Sequence, residues 1–400
     1  MPDPKPAGPP KPTLRVLLLG PVAGRDPLSG DTSYVDALAT APPPGIEYVR
    51  YPDALADGSL VIRGRRKKHG ARTFTDRWLL VLRSIEGAAR RTVMFREPTW
   101  FVSTAPGAFD LIHAHLFPVR QLGPAHLPLV SSAGYPLPVL YRAREGWSER
   151  RAKVATWLER VWTRSLAVHD PWCHCAADGV MTVYSEHFRG LLIAGGTPPD
   201  RVLIAGTALP ALPLPSDTSE AVRIGFIGRD FVRKGGPIAV EAFARLGRLH
   251  PDWQFVVAGS PSSDGSEVAP GIQILGPVPR EEVLDTLLPS LDVLVLPTSL
   301  DCGAPYTVLE ALQRGVSVVL GRSPWLDERL AGPAIERASD ATELVAAVES
   351  LLARGSREER AGAATELWRS TFDMPSLHRA LLPAYGAALA LQLRSARAAS

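Results

Sequence analysis

Short apolar runs alternate with longer stretches of helical period along most of the chain. LRVLLLG (14–20) is a Leu-rich run closed by glycine, the pattern of a parallel strand covered on both faces. IEYVRY (46–51), DLIHAH (110–115), LPLVSSA (127–133) and GVMTVY (179–184) read the same way. Helices are predicted from Asp31 or Thr32, after a Gly/Pro loop at 20–30, and over 76–90, 148–168 and 186–195. LPALPLPSDTSE (209–220) breaks this rhythm with prolines and small polar residues. The alternation then restarts, with strands at 222–227, 253–258, 272–275, 291–296 and 316–320. Helices are predicted at 236–248, 280–288, 305–314, 340–354, 357–370 and 375–394. Strands alternating with helices imply an α/β fold with two doubly wound parallel sheets, each binding ligands at the C-terminal ends of its strands.

The 400 residues exceed what one hydrophobic core holds, which agrees with two domains. We expect a disordered tail at 1–13, an N-terminal Rossmann-like domain at 14–208, a linker at 209–220, a C-terminal Rossmann-like domain at 221–374 and a closing helix in 375–400. The hydrophobic share of 46% excludes disordered and fibrous classes. No run approaches the roughly 18 apolar residues of a membrane span, and MPDPKPAGPPKPT has no apolar core, so the expected location is the cytoplasm.

Charge is unevenly spread. Residues 1–210 hold 26 Lys and Arg against 18 Asp and Glu, whereas the remainder holds 18 against 23. The run RGRRKKHGARTFTDR (63–77), followed by Trp78, Leu79, Leu80 and Leu82, reads as a solvated loop or as a contact for an anionic membrane surface or anionic acceptor. A nucleic-acid partner is not expected, because no groove-reading or base-stacking module accompanies the charges. The three cysteines, Cys173, Cys175 and Cys302, form no disulfide framework. Cys173, His174 and Cys175 are consecutive and cannot all converge on one metal, so none is expected there. Cys302 has no neighbouring histidine to activate it and reads as a packed residue.

IGFIGRDFVRKGG (224–236) ends a strand in Gly228 and Arg229 and places Lys234 before two glycines that open a helix. A planar fork, a point charge and the N–H groups of a helix start suit a diphosphate; the alternative is a solvated turn. LDVLVLPTSLDCGAPYTVLEALQRGVSVVLG (291–321) gives strand, loop, helix and strand. Glu310 lies in that helix among Val308, Leu309, Ala311 and Leu312, where a carboxylate needs a partner and can accept two ribose hydroxyls. His113 and His115 alternate at a strand end and so share one face, either packed or contacting an acceptor.

These segments resemble the retaining GT-B glycosyltransferases of family 4, the glycosyl transferases group 1. The family's Gly-Arg and Lys-Gly match Gly228, Arg229, Lys234 and Gly235, and its Pro-Ser/Thr loop with a Glu-Ala helix matches LVLPTSLDCGAPYTVLEAL. FDLIHAH (109–115), VMTVYSEHFRGLLIAGGTPPDRVLIAG (180–206) and SGDTSYVDALA (29–39) are similar to its N-domain segments. The likeness covers most of residues 14–330. Cys302 stands where the family has the first of two glutamates, with Asp301 beside it, and SSAGYP replaces a frequent histidine.

The resemblance implies two domains facing across a cleft and transfer of a hexose from a nucleotide diphosphate sugar to a glycan, lipid-linked or small-molecule acceptor. It implies retention of configuration and no metal or other cofactor. Arg229, Lys234 and Asp301 would act at the reacting phosphates and sugar, and Glu310 would hold the ribose. Gly30, Gly228, Tyr306 and Thr307 would approach the phosphates, and the backbone at Val278 would read the base. The family's last helix crosses back to the N-domain. The alternative reading is a nucleotide-sugar-binding protein with little or no transferase activity.

Overall fold

Strand β1 (Leu14–Leu19) is apolar on both faces because both are covered: Val16 to Leu19 are all buried. The structure, a computed structural model, describes residues 14–21, 30–63, 78–79, 81–82, 84–85, 99–123, 126–136, 138–139, 141–142, 146–176, 179–212, 221–259 and 271–399. The expected tail at 1–13, residues 64–77 of the basic run, and most of the linker lie outside the described residues.

The chain divides into two compact units. The first comprises Met1–Val183, Phe188–Ala205 and His378–Ser400, and the second Tyr184–His187 and Gly206–Leu377. Each contains a six-stranded sheet in which every pairing is parallel. In the first unit β1 is joined by β2 (Ile46–Arg50), β5 (Leu111–His115), β7 (Leu129–Ala133), β8 (Gly179–Val183) and β9 (Val202–Ile204), in the order β2-β1-β5-β7-β8-β9. A smaller sheet of β3 (Leu60–Ile62), β4 (Trp100–Thr104) and β6 (Val119–Gln121) accompanies it.

Alternating side chains of the first large sheet build two cores. Leu17, Leu19, Ile112 and Ala114 pack with Trp100 and Phe117 on one face, and Val16, Leu111, Val130 and Val180 meet Ala384, Tyr385 and Ala388 on the other. The last three residues belong to the closing helix, Met374–Ala399, which thereby covers one face of the first unit's sheet.

The second unit orders its strands β12-β11-β10-β13-β14-β15: β10 (Arg223–Ile227), β11 (Gln254–Ala258), β12 (Ile272–Gly276), β13 (Val293–Leu296), β14 (Ser317–Leu320) and β15 (Ile335–Arg337). One core runs from Ile224 and Phe226 through Val293 to Leu296, then Val308, Leu309, Ala311, Leu312 and Trp368. The expected helix at 280–288 is a short turn, Arg280–Glu282, continuing as π-helix over Val283–Leu287. No helix of the described residues is long and apolar enough to cross a membrane.

Candidate donor site in the second unit

The loops that follow β10, β11 and β13 pack backbone against backbone, and glycine makes this possible. Gly228 donates its N–H to Ala258 O at 2.9 Å. A Cβ on Gly259 would lie 2.1 Å from Gly228 O. Gly235 precedes the helix Gly236–Leu249 at φ 85°, and a Cβ there would stand 2.5 Å from Pro297 O. Gly235→Ala is therefore expected to cost about 1–3 kcal/mol from the left-handed backbone alone, read as a lowered urea midpoint.

This close approach brings charged side chains together. Lys234 Nζ donates to both carboxylate oxygens of Asp301, at 2.7 and 2.6 Å, and Arg233 Nη1 donates to Asp301 Oδ1 at 3.0 Å. Arg233 also reaches Asp230 Oδ2 at 2.6 Å through Nε. Ser323 Oγ donates to the Asp301 backbone carbonyl at 2.8 Å, tying its loop to the next one. Asp301 is 7% exposed. Burial pushes its carboxyl up, but Lys234 and Arg233 outweigh that and hold it below the ordinary carboxylate range. Arg229 stands exposed in the same loop, and Gly228 is buried beneath it.

Glu310 is held elsewhere. It is 2% exposed in the helix Tyr306–Gln313 and takes a salt bridge from Arg280, at the start of the turn after β12. Burial raises its pKa despite the attraction of Arg280 and Arg314. The helix begins after Pro305, which is extended (φ −57°, ψ 137°) and supplies no capping side chain; Pro305 thus precedes the first turn instead of standing in it. Tyr306 and Thr307 form that turn. Val278 is half-buried against the core, two residues before Arg280. Arg233 and Arg280 escaped the sequence reading, although "VRKGG" and "PVPREE" display both cations.

In the first unit Gly30 opens the helix Gly30–Thr40. His113 and His115 lie inside the sheet, joined through Ser132: His113 Nε2 is 3.2 Å and His115 Nδ1 2.8 Å from Ser132 Oγ. His113 Nδ1 meets Tyr385 Oη at 2.7 Å, and Tyr385 Oη meets Tyr48 Oη at 2.9 Å. Tyr34 stacks on His115 at 4.4 Å. Burial lowers the pKa of His113 to about 3 and that of His115 well below the usual value, so both imidazoles are neutral near pH 7. Tyr385 was not legible as a partner, because its element lies 272 residues from His113. Among the described residues, no group of three or more His, Cys, Asp or Glu is arranged to hold a metal.

Residues 221–354 match the profile of the family described as glycosyl transferases group 1. No curated protein matches the chain in sequence. Its fold is similar to Alr3699/HepE from Anabaena in complex with UDP-glucose: 13% identity, TM-score 0.54, covering 96% of this chain and 100% of that one. A glycosyltransferase from Rickettsia africae gives a TM-score of 0.57 at 11% identity over 94% and 99% of the two chains. The chain has the GT-B fold. WaaG, a glycosyltransferase involved in lipopolysaccharide biosynthesis, shares this GT-B architecture at a TM-score of 0.52 and 13% identity, over 94% of this chain and 98% of that one. The family match falls on the second GT-B unit and spans Lys234, Asp301 and Glu310.

Proposed function

We propose that this protein is a metal-independent, retaining hexosyltransferase of family 4 that uses a nucleotide diphosphate sugar. The observation that carries the reading is the cluster of Lys234, Arg233 and Asp301 at the C-terminal ends of β10 and β13, within the segment that matches glycosyl transferases group 1. Strand C-terminal ends are where open α/β sheets bind ligands, and fixed cations there stabilise charge on a departing diphosphate. Lys234, Arg233 and Arg229 supply that charge; Glu310 exchanges Arg280 for the ribose hydroxyls, and the start of the Tyr306–Gln313 helix faces the phosphates. Val278 lines the base. In a retaining transfer with front-face attack, the leaving phosphate takes the acceptor proton, so no protein base is needed. His113 and His115 are buried within the first unit's sheet and bonded to Ser132 and Tyr385, so we assign them a packing role and no contact with the acceptor. The acceptor classes are glycan, lipid-linked or small-molecule.

A second reading, a donor-binding protein without transfer, is favoured by one feature: the carboxylate nearest the cations, Asp301, is already spent on them. One experiment separates the two. Thermal shifts are measured with UDP, GDP, ADP and their sugars for the wild type and for Arg229→Ala/Lys234→Ala, and the responding sugar is then assayed for hydrolysis without acceptor. The transferase shows a shift with one nucleotide, no shift in the double variant, and slow hydrolysis. A shift without hydrolysis selects the binder, and an unchanged shift in the double variant removes the loop from the site.

A further inference from the structure

The helix Glu149–Ser165 of the first unit is amphipathic in the wrong sense for a soluble surface helix. Its buried face consists of Ala152, Ala155, Thr156, Glu159 and Thr163. Its outward face carries Val154 at 52% exposure, Trp157 at 62% and Val161 at 45%. A surface helix normally turns its large apolar side chains to the core, and tryptophan that exposed normally has something to cover it. At about 100° per residue, Arg150, Lys153, Val154, Trp157, Val161 and Arg164 all fall on one stripe, with apolar residues in the middle and cations at both ends. Lys153 is paired with Glu149 at 2.7 Å, which leaves the two arginines as the net charge of the stripe. Trp78, Val81 and Ile85, also in the first unit, are likewise exposed.

We propose that the Glu149–Ser165 face docks on an anionic lipid surface. The charge pattern selects this occupant. Trp and Val at the centre suit the boundary between headgroups and acyl chains, while arginines at the ends suit anionic headgroups. A second copy of the chain suits it poorly: an antiparallel pair centred on Trp157 sets Arg150 of each copy against Arg164 of the other. The site shares no residue with the donor-binding loops or with the basic run 63–77, and it stands whatever the outcome of the nucleotide experiments.

The test is co-sedimentation of the full chain with vesicles of phosphatidylcholine alone and of phosphatidylcholine with an equal part of phosphatidylglycerol. Wild type is expected to sediment with the second only, and less at high salt. Val154→Ser/Trp157→Ser/Val161→Ser is expected to lower partitioning about tenfold or more, and Arg150→Glu/Arg164→Glu by on the order of a hundredfold at low salt. All five positions are on the surface, so unchanged melting temperatures verify folding. The proposal is overturned by wild type that ignores anionic vesicles or by a serine variant that sediments like wild type. Light scattering that shows a wild-type dimer and a monomeric serine variant also overturns it, in favour of a second copy as the occupant.

Discussion

Asp301→Asn is expected to tighten binding of a nucleoside diphosphate by about tenfold while destabilising the second unit by about 2–3 kcal/mol. In the wild type, Asp301 is the internal anion of Lys234 and Arg233, and on the proposed reading an incoming diphosphate has to displace it from both. Removing its charge leaves Lys234 without this counter-ion and Arg233 with Asp230 alone, which costs stability; the two cationic side chains remain 20% and 30% exposed, so solvent softens the loss below that of a fully buried pair. The same cations then meet a diphosphate with no competitor. The sign of the pH dependence follows from the depressed pKa of Asp301. Its contribution is full above the ordinary carboxylate range near pH 4 and is lost as pH falls through the lower folded value, so the Asn variant lacks this acid limb. Calorimetric titration with UDP and with the responding nucleotide sugar, alongside urea unfolding, checks both halves. Unchanged UDP affinity with weakened sugar-nucleotide affinity instead makes Asp301 a sugar contact, in the role of the glutamate that Cys302 replaces.

The first unit is expected to be the acid-sensitive one. His113 titrates near 3 in the fold and near 6.5 unfolded, and His115 is lowered in the same direction. Below about pH 6.5 the unfolded chain therefore binds protons that the folded one refuses, and stability falls with pH by up to about 1.4 kcal/mol per unit for each histidine. Both together approach about 2.7 kcal/mol per unit, which removes about 4 kcal/mol by pH 5 and about 7 kcal/mol by pH 4, enough to unfold a domain of ordinary stability near pH 4. Glu310 works the other way in the second unit. Its raised pKa means that acidification relieves a buried charge, so the two units should part company on an acid titration. Urea unfolding from pH 7 to pH 5, followed by separate probes in each unit, measures the slope. His113→Gln should remove about half of it, and a slope indifferent to that change would show that the histidines are solvated.

The central strands of this fold were legible because they are buried on both faces. A run such as VLVL in β13 has no polar alternation to confuse it, and the seventeen-residue helix Glu149–Ser165 begins at Ser148, whose hydroxyl caps it as its position suggests. The three-residue strands β3, β6, β9 and β15 were not legible, since three residues carry no measurable period, and the pairing of the five-residue β4 in the small sheet is decided by distant segments. At the candidate site, the residue types were readable but not their pairing. That Lys234 belongs with Asp301 and Glu310 with Arg280 depends on how the segments after β10, β12 and β13 are stacked. The neutrality of His113 likewise depends on burial and on a tyrosine contributed by the final helix.

That helix has a consequence for biosynthesis. Residues 378–400 complete the core formed by Val16, Leu111, Val130 and Val180, while the second unit draws almost wholly on one uninterrupted stretch, 206–377. As the chain leaves the ribosome, the first unit must wait for a segment translated after the second, and the second unit can finish ahead of it. Until then Tyr48 and His113 look onto an uncovered apolar sheet, the surface that a chaperone would have reason to hold.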